Sequence, residues 1–285
     1  MRGDRGFPVR LRFTKAGKVR FVSHRDVARA FERAFRIEQL PLAFTQGFSP
    51  RPKVSFGLAL GVGHESVAEY LDMELVDGLD IEEMPARISR ALPDGIDVTG
   101  ACGLTERAPS LQEAVTAVGV ELRLANVDTA ALTDAAARAL AADTLMITTT
   151  RKGRSVVEDL RPALRDLVVG VDGDAGPVVH AEIKTQPRGL RPADLNLALR
   201  ELLDTAPRAV PTDEGSEDRV LRTHQWIERD GARLEPLEAD RATRTATRLR
   251  VTSKGLTDDR RDDSGGNDLR HDHTGAGSTG NRRIA

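Results

Sequence analysis

The stretch Phe21–Lys53, FVSHRDVARAFERAFRIEQLPLAFTQGFSPRPK, decides how the first half of the chain is read. Ser23-His24-Arg25-Asp26 has the shape of a capping box, with Asp in the place usually taken by Glu or Gln, so a helix opens at Ser23. It stops near Glu38 or Gln39, ahead of Pro41. At 100° per residue Val27, Ala30, Phe31, Ala34 and Phe35 share one side, and Arg25, Arg29, Arg33 and Arg36 share the opposite one. The phenylalanine face is core. The arginine face is either solvated or an anion-binding stripe.

Working outward, Pro8–Lys15 alternates Val9, Leu11 and Phe13 against Arg10, Arg12 and Thr14, the pattern of a half-buried strand. Ala16-Gly17-Lys18 marks a turn, and Val19–Val22 extends the pairing briefly. Leu42–Thr45 starts a second strand, which Gln46–Lys53 breaks because neither Pro50 nor Pro52 can donate to a central ladder. Val54–Leu60 resumes an apolar run, and Ala68–Val76 alternates with Leu71, Met73 and Leu75 on one face. A short helix over 81–93 and a strand over Ile96–Ala101 complete a β-α-β-β-α-β order, the ferredoxin-like split unit.

After a connector, the pattern returns. Val118–Leu124 reads as a strand, Thr129–Ala142 as a helix capped by Asp128, and Leu145–Thr150 as a β-branched strand. Arg151-Lys152-Gly153-Arg154 is a basic turn, Ser155–Leu160 pairs back, and Arg161–Leu167 is a short helical turn. Val178–Lys184, a helix opened by Pro192, and Val220–Ile227 follow. The expected fold is α+β: two tandem ferredoxin-like units with a disordered C-terminal tail. The divisions are a first unit at 1–104, a connector at 105–116, a second unit at 117–236 and the tail at 237–285, which is too polar to offset its ordering entropy.

Composition limits the function classes. No run approaches the roughly 18 apolar residues of a membrane span, and MRGDRGFPVR lacks the apolar centre of a secretion signal, so the cytoplasm is the expected compartment. Cys102 is the single cysteine, which removes a disulfide framework and a multi-cysteine metal site. His271 and His273 in the tail are too isolated to argue for metal, and neither a metal site nor a cofactor is expected. Residues 1–53 carry 13 Lys or Arg against 4 Asp or Glu, whereas residues 54–237 carry 19 against 32. This asymmetry points to an anionic partner for the N-terminal part, or to internal balance against the acidic part.

Several groups are candidates for chemistry or binding. His24, in the first turn of a helix, suits an anion or a neutral acid–base histidine; alternatively it is an ordinary polar residue. Ser23 and Asp26 read as caps. In the loop, Gln46 and Gly47 lead to Phe48, which stands in a stretch too polar for an obvious core residue; it either stacks on a base or tucks under the sheet as part of a rigid loop. Arg51 and Lys53 are placed to pair with phosphates. Arg151, Lys152 and Arg154 form a second basic turn, a charge run of the kind that is usually a solvated hairpin tip and otherwise continues the polyanion-binding groove of Arg51. Glu69 with Asp72, and Glu158 with Asp159, are indistinguishable from surface charge.

The runs RFTKAGKVRFVSHRDVARAFERAFR, LPLAFTQGFSPRPKVSFGLALGVGHES and AEYLDMEL closely resemble the radical-SAM-linked proteins, a bacterial family of unassigned function. TTTRKGRSVVEDLRP and HAEIKTQPRGLRPADL look like that family's second half, so the resemblance covers roughly residues 8–228. The family typically has Leu where this chain has Arg25. The resemblance implies an accessory role beside a radical SAM protein, with a ribonuclease E/G-type enzyme as a further partner. The chain has no CxxxCxxC of its own. No catalytic residues are carried over. The leading expectation is an accessory RNA-binding protein that presents tRNA or another structured RNA. The alternatives are a metal-independent RNA endonuclease with His24 as acid–base, and a protein–protein adaptor.

Overall fold

The computed structural model describes residues 6–104, 108–151, 153–172, 176–187, 189–203 and 218–241. Strand β1 (Phe7–Lys15) leads through a 3-10 turn (Gly17–Phe21) into helix α1 (His24–Ile37), then to β2 (Val54–Phe56) and β3 (Glu65–Leu75). Helix α2 (Met84–Ala91) carries the chain to β4 (Val98–Gly103). In the sheet these strands run β4-β1-β3-β2, each antiparallel to its neighbour.

A four-residue helix α3 (Leu111–Ala114) begins the second half, held by a capping box in which Ser110 and Glu113 bond each other's backbone N–H. β5 (Val115–Arg123) and α4 (Thr129–Ala141) follow, the helix opening where Asp128 accepts from the N–H groups of Ala130 and Ala131. β6 (Met146–Arg151) and β7 (Arg154–Asp159) form a separate two-stranded hairpin. The chain continues through β8 (Leu164–Val171), β9 (Pro177–Lys184), α5 (Pro192–Leu202), β10 (Arg219–Arg229) and β11 (Ala232–Leu234). The order β10-β5-β9-β8 is again antiparallel throughout.

The two halves share one sheet. β10 lies parallel to β3, Leu221 opposite Glu65 and Arg222 opposite Ser66, which joins nine of the described strands. The class is therefore α+β, with a large, mostly antiparallel sheet and few helices. Two cores flank it. Val9, Leu11 and Phe13 of β1 and Leu71, Met73 and Leu75 of β3 pack with Val27, Phe31, Ala34 and Phe35 of α1. Phe31 meets Phe13 edge-on with ring centroids 4.8 Å apart. The second core gathers α4, α5, β5 and β9 around Leu122, Leu132, Ile183, Leu195 and Leu199.

The tertiary structure corrects several local expectations. Residues 19–22 do not extend β1: the chain enters the 3-10 turn, whose carbonyls are held from below by Lys15. Leu42–Thr45 makes only isolated bridges, Leu42 to Leu75 and Phe44 to Pro52, because the prolines interrupt the ladder. The helical turn at Arg161 ends at Ala163, and Leu164 starts β8 with Leu167 buried in the sheet. Residues 236–241 are helical, with Leu237 and Ala239 buried, so the boundary placed at Leu237 falls too early. The rest of the expected tail, 242–285, lies outside the described residues.

Candidate functional site

The head of α1 is built by its cap. Ser23 accepts from the Asp26 N–H and donates its hydroxyl to the Asp26 carboxylate at 2.7 Å. That bond and the neighbouring Arg29 hold Asp26 below the usual carboxylate range. Both groups are therefore occupied as caps. His24, next to them, is exposed and rests edge-on against Phe56, centroids 5.2 Å apart.

Along α1, Arg25, Arg29, Arg33 and Arg36 are all exposed. Arg29 pairs with Asp26 at 3.0 Å, while Arg25, Arg33 and Arg36 make no ion pair among the described residues. The Gln46–Lys53 segment projects as a narrow hairpin closed by Thr45, whose N–H reaches the Arg51 carbonyl and whose hydroxyl accepts from the Arg51 N–H. Gln46 is exposed, and Phe48 stands wholly in solvent. Gly47 has φ of 131°, a conformation that side chains rarely adopt, with open space where a Cβ would project. Arg51 is exposed and makes no ion pair among the described residues. Lys53 bonds Glu74 at 2.9 Å, so its charge is already answered.

Beneath His24 lies a polar cluster that strand periodicity announces and charge type disguises. Lys15 continues the inward parity of Val9, Leu11 and Phe13, and Glu69 that of Leu71, Met73 and Leu75. Both are buried, at 4% and 7% exposure. Lys15 Nζ donates to the carbonyls of Arg20 and Val22 at 3.0 and 2.9 Å. Arg222, from β10, donates to Glu69 Oε1 at 2.8 Å and to the carbonyls of Leu58 and Ala59 at 3.0 Å. Burial lowers the Lys15 pKa, with Glu69 opposing. Burial, then the charges of Arg222 and Lys15, lowers that of His64. Glu69 is thus no surface charge, and its expected companion Asp72 faces elsewhere.

Asp72 belongs to a second buried group. Arg10 forks onto it through Nε and Nη2 at 2.6 and 2.9 Å and reaches Asp240 through Nη1 at 2.7 Å. Burial, and next the Asp240 charge, push the neighbouring Cys102 thiol up to about 11, which suppresses thiolate chemistry.

In the second half, Arg151 is not a free hairpin cation. It bonds Glu158 across the β6–β7 pair and Asp194 on α5 at 2.8 Å. Arg154 is exposed at the turn, and Lys152 lies outside the described residues. A cleft of about 480 Å³ opens beside the hairpin, lined by Val157, Leu160, Pro162, Lys184 and Leu190 among others. Among the described residues no group of three or more His, Cys, Asp or Glu is placed to hold a metal, and no helix is long and apolar enough to cross a membrane.

The fold and these faces define an α+β protein whose first half carries a one-sided basic helix and a hairpin with an exposed phenylalanine. The chain belongs to the bacterial family described as "Uncharacterized protein conserved in bacteria" (DUF2344), which matches residues 9–192, more than half of its length. No curated protein matches the chain.

Proposed function

We propose that this protein binds RNA as a non-catalytic, cytoplasmic accessory factor and presents it, as tRNA or another structured RNA, to a radical SAM or RNA-processing partner. The observation that carries the reading is the hairpin tip. Phe48 is an aromatic held wholly in solvent, three residues from an arginine that makes no ion pair among the described residues. An exposed phenylalanine gains nothing from folding and is suited to stacking on an unpaired base. Arg25, Arg33 and Arg36 supply a line of cations to follow a phosphate backbone. The repeated β-α-β-β-α-β connectivity, with strands ordered β4-β1-β3-β2 and β10-β5-β9-β8, supports reading the halves as tandem ferredoxin-like units, a scaffold also used by RNA-recognition modules.

The test is a mobility-shift titration with bulk tRNA at two salt concentrations. Binding should weaken steeply with salt and fall on Phe48→Ala and on Arg51→Ala. Absence of any shift at low salt sinks the proposal. Pull-down with and without nuclease identifies the partner's dependence on RNA; an adaptor keeps its partner after nuclease treatment.

One observation favours a second reading, an RNA endonuclease with His24 as acid–base. His24 is exposed beside a small void of about 10 Å³ that Lys15 and Glu69 also line. If His24→Ala leaves cleavage of candidate RNAs unchanged, that reading fails.

A further inference from the structure

The cluster under His24 carries unbalanced charge. Two buried cations, Lys15 and Arg222, face one buried carboxylate, Glu69, and the hydrogen bond of that carboxylate goes to Arg222. Lys15 hydrogen-bonds neutral carbonyls only, with Glu69 acting on its charge at longer range. An ammonium has three N–H donors; two are used, and the third has no acceptor among the described residues. A buried charge is normally paired.

The missing partner has a place to sit. Lys15, His24, Phe56 and Glu69 line a void of about 10 Å³, room for one water-sized atom. The backbone N–H groups of His24 and Arg25, the first two residues of α1, have no intrahelical acceptor and stand at the positive end of a 14-residue helix. A void of that size takes one oxygen and not a whole anion, so an anion seated there would leave its other oxygens outside. A tetrahedral phosphate has this shape.

We infer that the head of α1 is a phosphate-binding site in which Lys15 supplies the fixed charge, His24 and the first amides of the helix hold the outer oxygens, and the phosphate is one of those of the RNA bound along the arginine face. The RNA assignment rests on the function proposed above; the phosphate site does not.

The experiment titrates the full chain with inorganic phosphate, and separately with a short oligouridylate, following the His24 ring resonances. Phosphate should shift them in the wild type. Lys15→Met should weaken phosphate binding about tenfold or more, the loss of one charge-assisted bond, and lower the salt slope of RNA binding by about 0.7. Glu69→Gln keeps an oxygen for Arg222 but removes the opposing charge, so it should tighten phosphate binding severalfold. Opposite signs in two neighbouring buried variants do not arise from general destabilisation, and Lys15→Arg, retaining the charge, should stay close to wild type. No phosphate-dependent shift at His24, or equal loss in both variants, overturns the site. Phosphate binding that depends on Lys15 while RNA affinity ignores it overturns the RNA assignment alone. RNA binding lost on Arg51→Ala but untouched by Lys15→Met has the same meaning. Phosphate binding with no RNA binding at all sinks the function proposed above and leaves the site standing.

Discussion

Arg10 and Asp240, 230 residues apart in sequence, meet at 2.7 Å with the guanidinium almost wholly buried. Arg10 is shared between two carboxylates, Asp240 and Asp72, which repel each other. Burial raises the Asp240 pKa even with Arg10 beside it, while Arg10, opposed by burial but favoured by both acids, ends above its ordinary value.

The two partners should therefore respond unequally to mutation. Arg10→Met leaves two carboxylates without their cation and should cost about 3–5 kcal/mol. Asp240→Asn removes a charge whose desolvation outweighs its pairing and should cost about 1 kcal/mol or less. Because the folded pKa of Asp240 is raised, its contribution to stability is full below the ordinary value of 3.8 and is lost as pH rises through the raised one. Urea midpoints of both variants across acidic and neutral pH check the asymmetry.

His64 gives the opposite slope. Its folded pKa is depressed by burial, then by Arg222 and Lys15, so its contribution is present above the ordinary 6.5 and is lost as pH falls through the folded value. His64→Gln should flatten the acid side of the stability profile. An unchanged slope between the two proteins contradicts a lowered pKa at His64.

Phe48→Ala should leave the unfolding temperature nearly unchanged, since the side chain touches solvent on all sides, a change within about 0.5 kcal/mol. RNA affinity should fall by about 1–3 kcal/mol if one base stacks there. Comparing a thermal melt with a binding isotherm separates the two effects.

Arg151→Met should do the reverse. The side chain bonds Glu158 and Asp194, so its loss should destabilise by about 1–3 kcal/mol and leave tRNA affinity as it was. A selective loss of RNA binding would return Arg151 to the binding surface.

Much of the first half is legible from local chemistry. The cap at Ser23, the opposed Phe and Arg faces of α1 and the parity of β1 and β3 follow from spacing alone. The cluster around Lys15 and Glu69 was legible in part: each continues an inward-facing run, but a lysine or glutamate at the end of a strand is ordinarily taken as solvated. Arg10 offered no such hint. It sits on the outward parity of β1 beside Arg12, and is buried because residues 236–241 pack over that face, where Leu237 and Ala239 are also covered. The pairing of Arg151 was hidden for a related reason, since its acidic partners are Glu158 on the returning strand and Asp194 on α5.

The sequence by itself determined the α+β class, the order of most elements and the one-sided charge of the stretch Phe21–Lys53, because helix caps, strand alternation and proline breaks act over a few residues. Only the tertiary structure decided which charges are buried. The parallel pairing of β10 with β3 brings Arg222 to Glu69, and the return of residues 236–241 brings Asp240 to Arg10. Burial is a property of what packs on top, and those covering segments lie more than 150 residues away from the side chains they enclose.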